Sequence, residues 1–126
     1  MNHMLKAYKM ADRQATAETD DPHMLVSVLF DELIRRVEAF LALQDGSPAD
    51  LEKRNEHFGK ALSILHALQS SLDFERGKDI SDNLFRIYEY ARQQLLVCVR
   101  SGKTDGLDTA LDSLKEISLA WKAMKA

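Results

Sequence analysis

Residues 72–98 read LDFERGKDISDNLFRIYEYARQQLLVC. The glycine and charged residues around Gly77 are typical of a break between two helices. After the break, apolar residues recur every three or four positions, and this spacing predicts an amphipathic helix. The residues on its predicted buried face are Ile80, Leu84, Ile87, Tyr88, Ala91, Leu95 and Cys98. The stretch therefore predicts a helical protein in which one helix ends near Gly77 and another begins at once.

The same periodicity begins at Asp21-Pro22, where an aspartate can accept from free amides and a proline fits the first helical position. The pattern stops at 44–48, a turn that contains a helix-ending glycine and a helix-starting proline. The predicted apolar face of this first helix consists of Leu25, Val26, Leu29, Leu33, Val37, Phe40 and Leu41.

Two more helices complete the pattern. The second is predicted to run to about Leu72 and to bury Leu51, Phe58, Leu62, Leu65, Leu68 and Leu72. The fourth follows a turn at 101–105 and is predicted to bury Leu107, Leu111, Leu114, Ile117 and Trp121. Four amphipathic helices joined by short connections predict an all-α, antiparallel four-helix bundle over residues 21–126. Residues 1–20, which end in a polar run, are predicted to form a short N-terminal arm.

Composition excludes several classes of protein. The 126 residues fit one domain, and 17 basic against 20 acidic side chains give a net charge of −3. This balance argues against nucleic-acid binding, which needs a basic surface. The single cysteine cannot form an internal disulfide, and the sequence contains neither a signal-like apolar run nor a stretch long enough for membrane insertion. We therefore expect a soluble cytoplasmic protein.

The sequence predicts no enzyme, metal site or cofactor. Di-iron bundles need a histidine three residues after a glutamate, and none of the four histidines has that spacing. Cys98 lies on the predicted core face of its helix, so it is interpreted as a packing residue rather than a catalytic thiol.

The third predicted helix carries more apolar residues than one buried stripe requires. At 100° per residue, Phe85 and Leu96 share one flank, while Tyr90 and Val97 share the other. Ile64 lies beside the stripe of the second helix, and Leu119 lies nearly opposite the buried face of the fourth. Phe85 and Leu96 are interpreted mainly as contacts to neighbouring helices. For Tyr90, Val97 and Leu119 we favour contact with a partner, since contiguous apolar surface on a small protein is usually a binding site.

The ordered pattern resembles the family of the flagellar secretion chaperone FliS. The resemblance rests on 72–77, Ile80, Asn83-Leu84, Ile87-Tyr88-Glu89-Tyr90, Leu95-Leu96 and Ala120-Trp121-Lys122, and, nearer the N-terminus, on Lys6-Ala7-Tyr8-Lys9, Asp21-Pro22-His23 and Leu29-Phe30-Asp31. It covers the chain from about Leu5 to Lys122. The sequence departs from the family's usual pattern at Lys78, Gln93-Gln94, Val99 and Leu119. The family's salt bridges or polar client contacts at those positions are therefore not carried over to this chain.

The resemblance implies a client, the disordered C-terminal segment of flagellin, which the chaperone keeps from polymerising and presents to an export-gate component of the flagellar type III apparatus. An amphipathic client helix would lie in an apolar groove between bundle helices. The predicted groove residues are Leu65, Leu68, Leu84, Phe85, Ile87, Tyr88, Tyr90, Val97 and Trp121. Leu5 and Tyr8 match the family's apolar arm and are predicted to form a lid on the groove. Simple docking of the terminus is the alternative.

Three other interpretations remain open at this point. The chain could be a helical adaptor or chaperone of another export system. It could be a structural bundle whose apolar flank forms a weak homodimer. A small metalloenzyme bundle is the third, and the ligand spacing disfavours it.

Overall fold

The computed structural model describes residues 21–44 and 46–124. Four long helices and one short helix follow one another along the chain, and the described residues contain no strand. The helices are α1 (Pro22–Ala42), α2 (Pro48–Ser70), α3 (Phe74–Gly77), α4 (Asp79–Ser101) and α5 (Asp105–Ala123).

The helix ends follow local sequence chemistry. The Asp21 carboxylate accepts from the backbone N–H of His23 at 3.0 Å, and Pro22 occupies the first turn of α1. Ser47 caps α2 in the same way, directly before Pro48. Gly102 ends α4 with a φ of 75°, a left-handed conformation that glycine adopts without strain.

The four long helices form an antiparallel bundle. α1 and α4 each pack against α2 and α5. One end of the bundle brings together the first turns of α1 and α4 and the last turns of α2 and α5. The predicted all-α bundle is thus confirmed. The predicted arm, residues 1–20, lies outside the described residues.

The interior is filled by side chains from all four long helices. The largest fully buried ones are Phe30, Phe40, Leu25, Leu33, Leu65, Leu68, Leu95, Leu107, Leu114 and Val37. Cys98 and Tyr88 are buried as well, which confirms both predictions from the helical periodicity. The regular spacing of apolar residues therefore identified most of the core.

The predictions around the helix ends were partly wrong. α2 ends at Ser70, close to the predicted end at about Leu72, but the sequence did not indicate α3. Ile80 and Leu51 were predicted to be buried, yet they are 70% and 41% exposed. Each lies in the first turn of its helix, at an end of the bundle where neighbouring helices cover it incompletely. Ile64, predicted to lie beside the stripe, is instead part of the core.

Polar contacts join the helices along their outer edges. Lys122 and Lys115 of α5 form ion pairs with Asp31 and Glu38 of α1, at 2.6 and 3.0 Å. Between α2 and α4, the Gln69 amide donates to Glu89 at 3.2 Å. The exposed ion pairs contribute little to stability, so burial of apolar surface is the main source.

The Glu89 contacts predict a pH dependence of stability. Hydrogen bonds from Arg92, and then from Gln69 and Gln93, lower the pKa of Glu89 to about 2. The pKa of Glu89 in the folded protein lies below its value of about 4.3 in the unfolded chain. The ionised Glu89 carboxylate therefore stabilises the fold above about pH 4.3, and this stabilisation is lost as the pH falls towards the folded-state pKa. We expect the melting temperature of the wild type to fall more steeply than that of Glu89→Gln over this acidic range. Thermal unfolding followed by circular dichroism measures it, and parallel curves for the two proteins would contradict the prediction.

Candidate functional site

A cavity of about 380 Å³ opens at the end of the bundle where α1 and α4 begin. All five helices or their flanking residues contribute to its wall. The lining residues are Pro22, His23, Val26, Phe30, Leu68, Ser71, Leu72, Asp73, Gly77, Ser81, Leu84, Tyr88 and Trp121. Aliphatic and aromatic side chains make up most of this lining, so the cavity is suited to apolar groups.

Several polar groups in the wall already have partners within the protein. The Ser71 hydroxyl donates to the Leu68 carbonyl at 2.8 Å, and the Ser81 hydroxyl donates to the Asp73 carbonyl at 2.9 Å. The Asp73 carboxylate accepts from two backbone N–H groups of α3. Burial raises the pKa of Tyr88, so its hydroxyl stays neutral. An occupant would therefore gain mainly from apolar contact.

His23 and Trp121 form a clasp between the first turn of α1 and the last turn of α5. The Trp121 indole N–H donates to the His23 carbonyl at 3.0 Å, and His23 Nε2 donates to the Trp121 carbonyl at 2.7 Å. The two rings stack with centroids 4.7 Å apart, and Phe30 meets Trp121 edge-on. The clasp holds one side of the cavity in place. Sequence reasoning did not find the role of His23, because no local pattern relates residues that are 98 positions apart.

The structure brings four of the nine predicted groove residues into the cavity wall: Leu68, Leu84, Tyr88 and Trp121. Leu65 lies wholly in the core. Ile87 and Val97 are half-buried outside the cavity lining, and Phe85 and Tyr90 are 40% and 42% exposed.

The exposed predicted residues do not form one continuous surface. Phe85 meets Phe74 of α3 edge-on, with ring centroids 6.0 Å apart. Tyr90 lies on the opposite flank of α4. Leu119 lies on the same side of α5 as Lys115 and Lys122, because these residues are three or four positions apart. Both lysines form ion pairs with α1, so this side of α5 is turned away from α4.

The predicted lid residues, Leu5 and Tyr8, lie outside the described residues. The described chain begins at Asp21, and the next two residues, Pro22 and His23, belong to the cavity wall. The described part of the chain therefore begins beside the cavity.

No group of three or more potential metal ligands occurs within 21–44 and 46–124. None of the helices in this part of the chain has the length and apolar character needed to cross a bilayer.

Comparison with known families agrees with the fold and the sequence pattern. The family model described as flagellar protein FliS matches residues 4–126. The chain belongs to the FliS family. This confirms the resemblance drawn from the sequence.

Curated relatives support the assignment over nearly the whole chain. The flagellar secretion chaperone FliS of Vibrio cholerae is 30% identical over 122 residues, which cover 96% of this chain and 88% of the relative. The FliS of Salmonella typhimurium is 30% identical over 120 residues, covering 94% and 87% of the two chains. Flagellar secretion chaperone FliSB of Pseudomonas aeruginosa is 27% identical over 117 residues, or 93% and 91%.

Proposed function

We propose that this FliS-family protein is a cytoplasmic export chaperone that binds the C-terminal segment of flagellin. The observation that supports this most directly is the open apolar cavity at one end of the bundle. Its relatives carry the name flagellar secretion chaperone. In this proposal the bound segment cannot polymerise, and the loaded complex is presented to a component of the flagellar export gate.

The lining of the cavity indicates how the client would bind. Aliphatic and aromatic side chains make up most of the wall, and the Ser71 and Ser81 hydroxyls already donate to carbonyl groups of the protein. In this proposal the cavity accepts apolar side chains of the client, while the client backbone lies across its mouth. Anchors at positions i, i+3, i+4 and i+7 of an amphipathic helix fit this arrangement.

Binding through such contacts needs no covalent step. Coupled folding of a disordered segment buries on the order of 1,000–3,000 Å², which is more surface than one cavity offers. The exposed aromatic residues Phe85 and Tyr90 on the two flanks of α4 provide further apolar contact for a segment that extends beyond the cavity.

The N-terminal arm completes the proposal. Leu5 and Tyr8 are proposed to cover the cavity in the free chaperone and to leave it when the client enters. The position of Pro22 and His23 in the cavity wall supports this, because the arm joins the bundle at that point.

Titration with a peptide of the flagellin C-terminus tests the function. Trp121 is the only tryptophan in the chain and lines the cavity, so its fluorescence should change on binding. Circular dichroism should show more helix in the mixture than in the separate components. A scrambled peptide of the same composition is the control, and equal responses to both peptides would refute the proposal.

Substitution of Tyr8 tests the lid. If the arm competes with the client, Tyr8→Ala should bind the peptide several-fold more tightly than the wild type and expose Trp121 to acrylamide quenching. An unchanged affinity together with unchanged quenching would remove the arm from the mechanism.

Mass measurement in solution tests the weak homodimer. A dimer that persists in saturating peptide would contradict the idea that the dimer contact and the client use the same surface.

A further inference from the structure

We propose that α3 is a hinged flap in the wall of the cavity, held against α4 in the free protein (the closed state) and released from α4 when a client segment enters. This inference rests on the proposed function for the identity of the client. The existence of the flap rests only on the geometry of residues 73–85.

The flap forms part of the cavity wall but has few attachments. Asp73 and Gly77, at the two ends of α3, line the cavity, and α3 packs chiefly against α4. The attachments to α4 are the hydrogen bond from the Ser81 hydroxyl to the Asp73 carbonyl and the edge-on contact of Phe74 with Phe85. Phe74 is 46% exposed, so little apolar surface holds the flap closed.

The hinge is Lys78, which connects α3 to α4. Its backbone has φ 44° and ψ −117°, and it is the one described non-glycine residue with a positive φ. This conformation matches the first central position of a type II′ turn, near +60° and about −120°, which glycine dominates because a Cβ is crowded there. The closed flap therefore stores backbone strain that opening can release.

The closed flap lies close to α4 at Gly77. A Cβ at residue 77 would lie 1.9 Å from Ser81 Oγ and 3.0 Å from Ser81 Cβ. A larger residue at position 77 would therefore disturb the Ser81 hydroxyl. Once released, a four-residue helix does not persist by itself, because nucleation of a short helix is unfavourable. Opening should therefore expose the amides of Gly77 and Lys78, which donate to Asp73 and Phe74 in the closed state.

Two substitutions should move the flap in opposite directions. Lys78→Gly relieves the strain of the closed state and should slow hydrogen exchange at residues 77 and 78. The matched control is Lys78→Ala, which removes the same charge but keeps the Cβ. We expect exchange in Lys78→Gly to be at least about fivefold slower than in Lys78→Ala, even though glycine gains freedom in the open state. Gly77→Ala should speed exchange, since its Cβ would displace the Ser81 hydroxyl, which donates to the Asp73 carbonyl and holds the flap to α4.

Amides in the middle of α4, around Leu95, provide an internal reference. In the wild type, the α3 amides should exchange much faster than these, which identifies a local opening rather than global unfolding. Exchange of both regions at one common rate would overturn the flap, and so would equal α3 exchange in Lys78→Gly and Lys78→Ala.

Client binding then tests whether the flap controls access. The association rate of the flagellin peptide should be lower for Lys78→Gly than for Lys78→Ala by about the factor seen in exchange, and higher for Gly77→Ala. Equal association rates, despite different exchange, would overturn the link between the flap and entry. If the wild type binds no flagellin peptide, the proposed function fails, while the exchange comparison still decides whether α3 opens.

Discussion

Replacement of Leu84 by glutamate is expected to weaken binding of the flagellin peptide at least about 100-fold, or roughly 2.7 kcal/mol. Leu84 lines the cavity from α4 and is half-buried. In the free protein the open cavity lets water reach the new carboxylate. In the complex the client would remove that water, and a charge buried without a partner is strongly unfavourable. Titration followed by Trp121 fluorescence measures the loss.

Two variants control for indirect effects. Leu84→Met keeps an apolar side chain of similar volume and should bind within a few-fold of the wild type. Thr109→Glu places the same charge at an exposed position of α5 outside the cavity lining and should leave affinity unchanged. If Leu84→Glu and Thr109→Glu bind alike, the cavity is not the client site.

Replacement of Phe40 by alanine is expected to remove about 3–5 kcal/mol of stability. Phe40 is fully buried, its ring lies 6.0 Å from the ring of Phe58, and the Arg54 guanidinium lies 4.8 Å from its centroid. The substitution leaves a cavity and removes both contacts. Since small domains are stable by only about 5–15 kcal/mol, the loss should be evident in urea unfolding followed by circular dichroism.

Phe85→Ala is the matched control for this prediction. Phe85 is 40% exposed and contacts Phe74, so its loss should reduce stability by no more than about 1.5 kcal/mol. Phe40 does not line the cavity, and folded Phe40→Ala should bind client normally. Similar stability losses for the two variants would contradict the described division between core and surface.

Much of the fold could be predicted because its signals are local. Asp21-Pro22 and Ser47-Pro48 start helices through contacts within one turn, and Gly102 ends one through its own backbone freedom. The α4 pattern placed Tyr88 inside and Tyr90 outside, and both positions are confirmed. The errors at Ile80 and Leu51 arose because periodicity gives the direction of a side chain but not whether a neighbouring helix covers it.

Sequence reasoning identified only some of the residues of the candidate site. Leu68, Leu84, Tyr88 and Trp121 were named because they lie on apolar faces, and all four line the cavity. Leu65 has the same sequence signature but is buried in the core. Apolar residues that line a cavity and apolar residues that fill a core share one pattern, so periodicity cannot separate them.

The sequence by itself determined the number of long helices, their inward faces and the family, because each depends on residues a few positions apart or on their order along the chain. Tertiary structure alone decided where the bundle leaves a gap. The clasp of His23 with Trp121 depends on how two segments 98 positions apart meet in space. A cavity is the volume that packed helices fail to fill, and that volume is fixed only when all of them are in place.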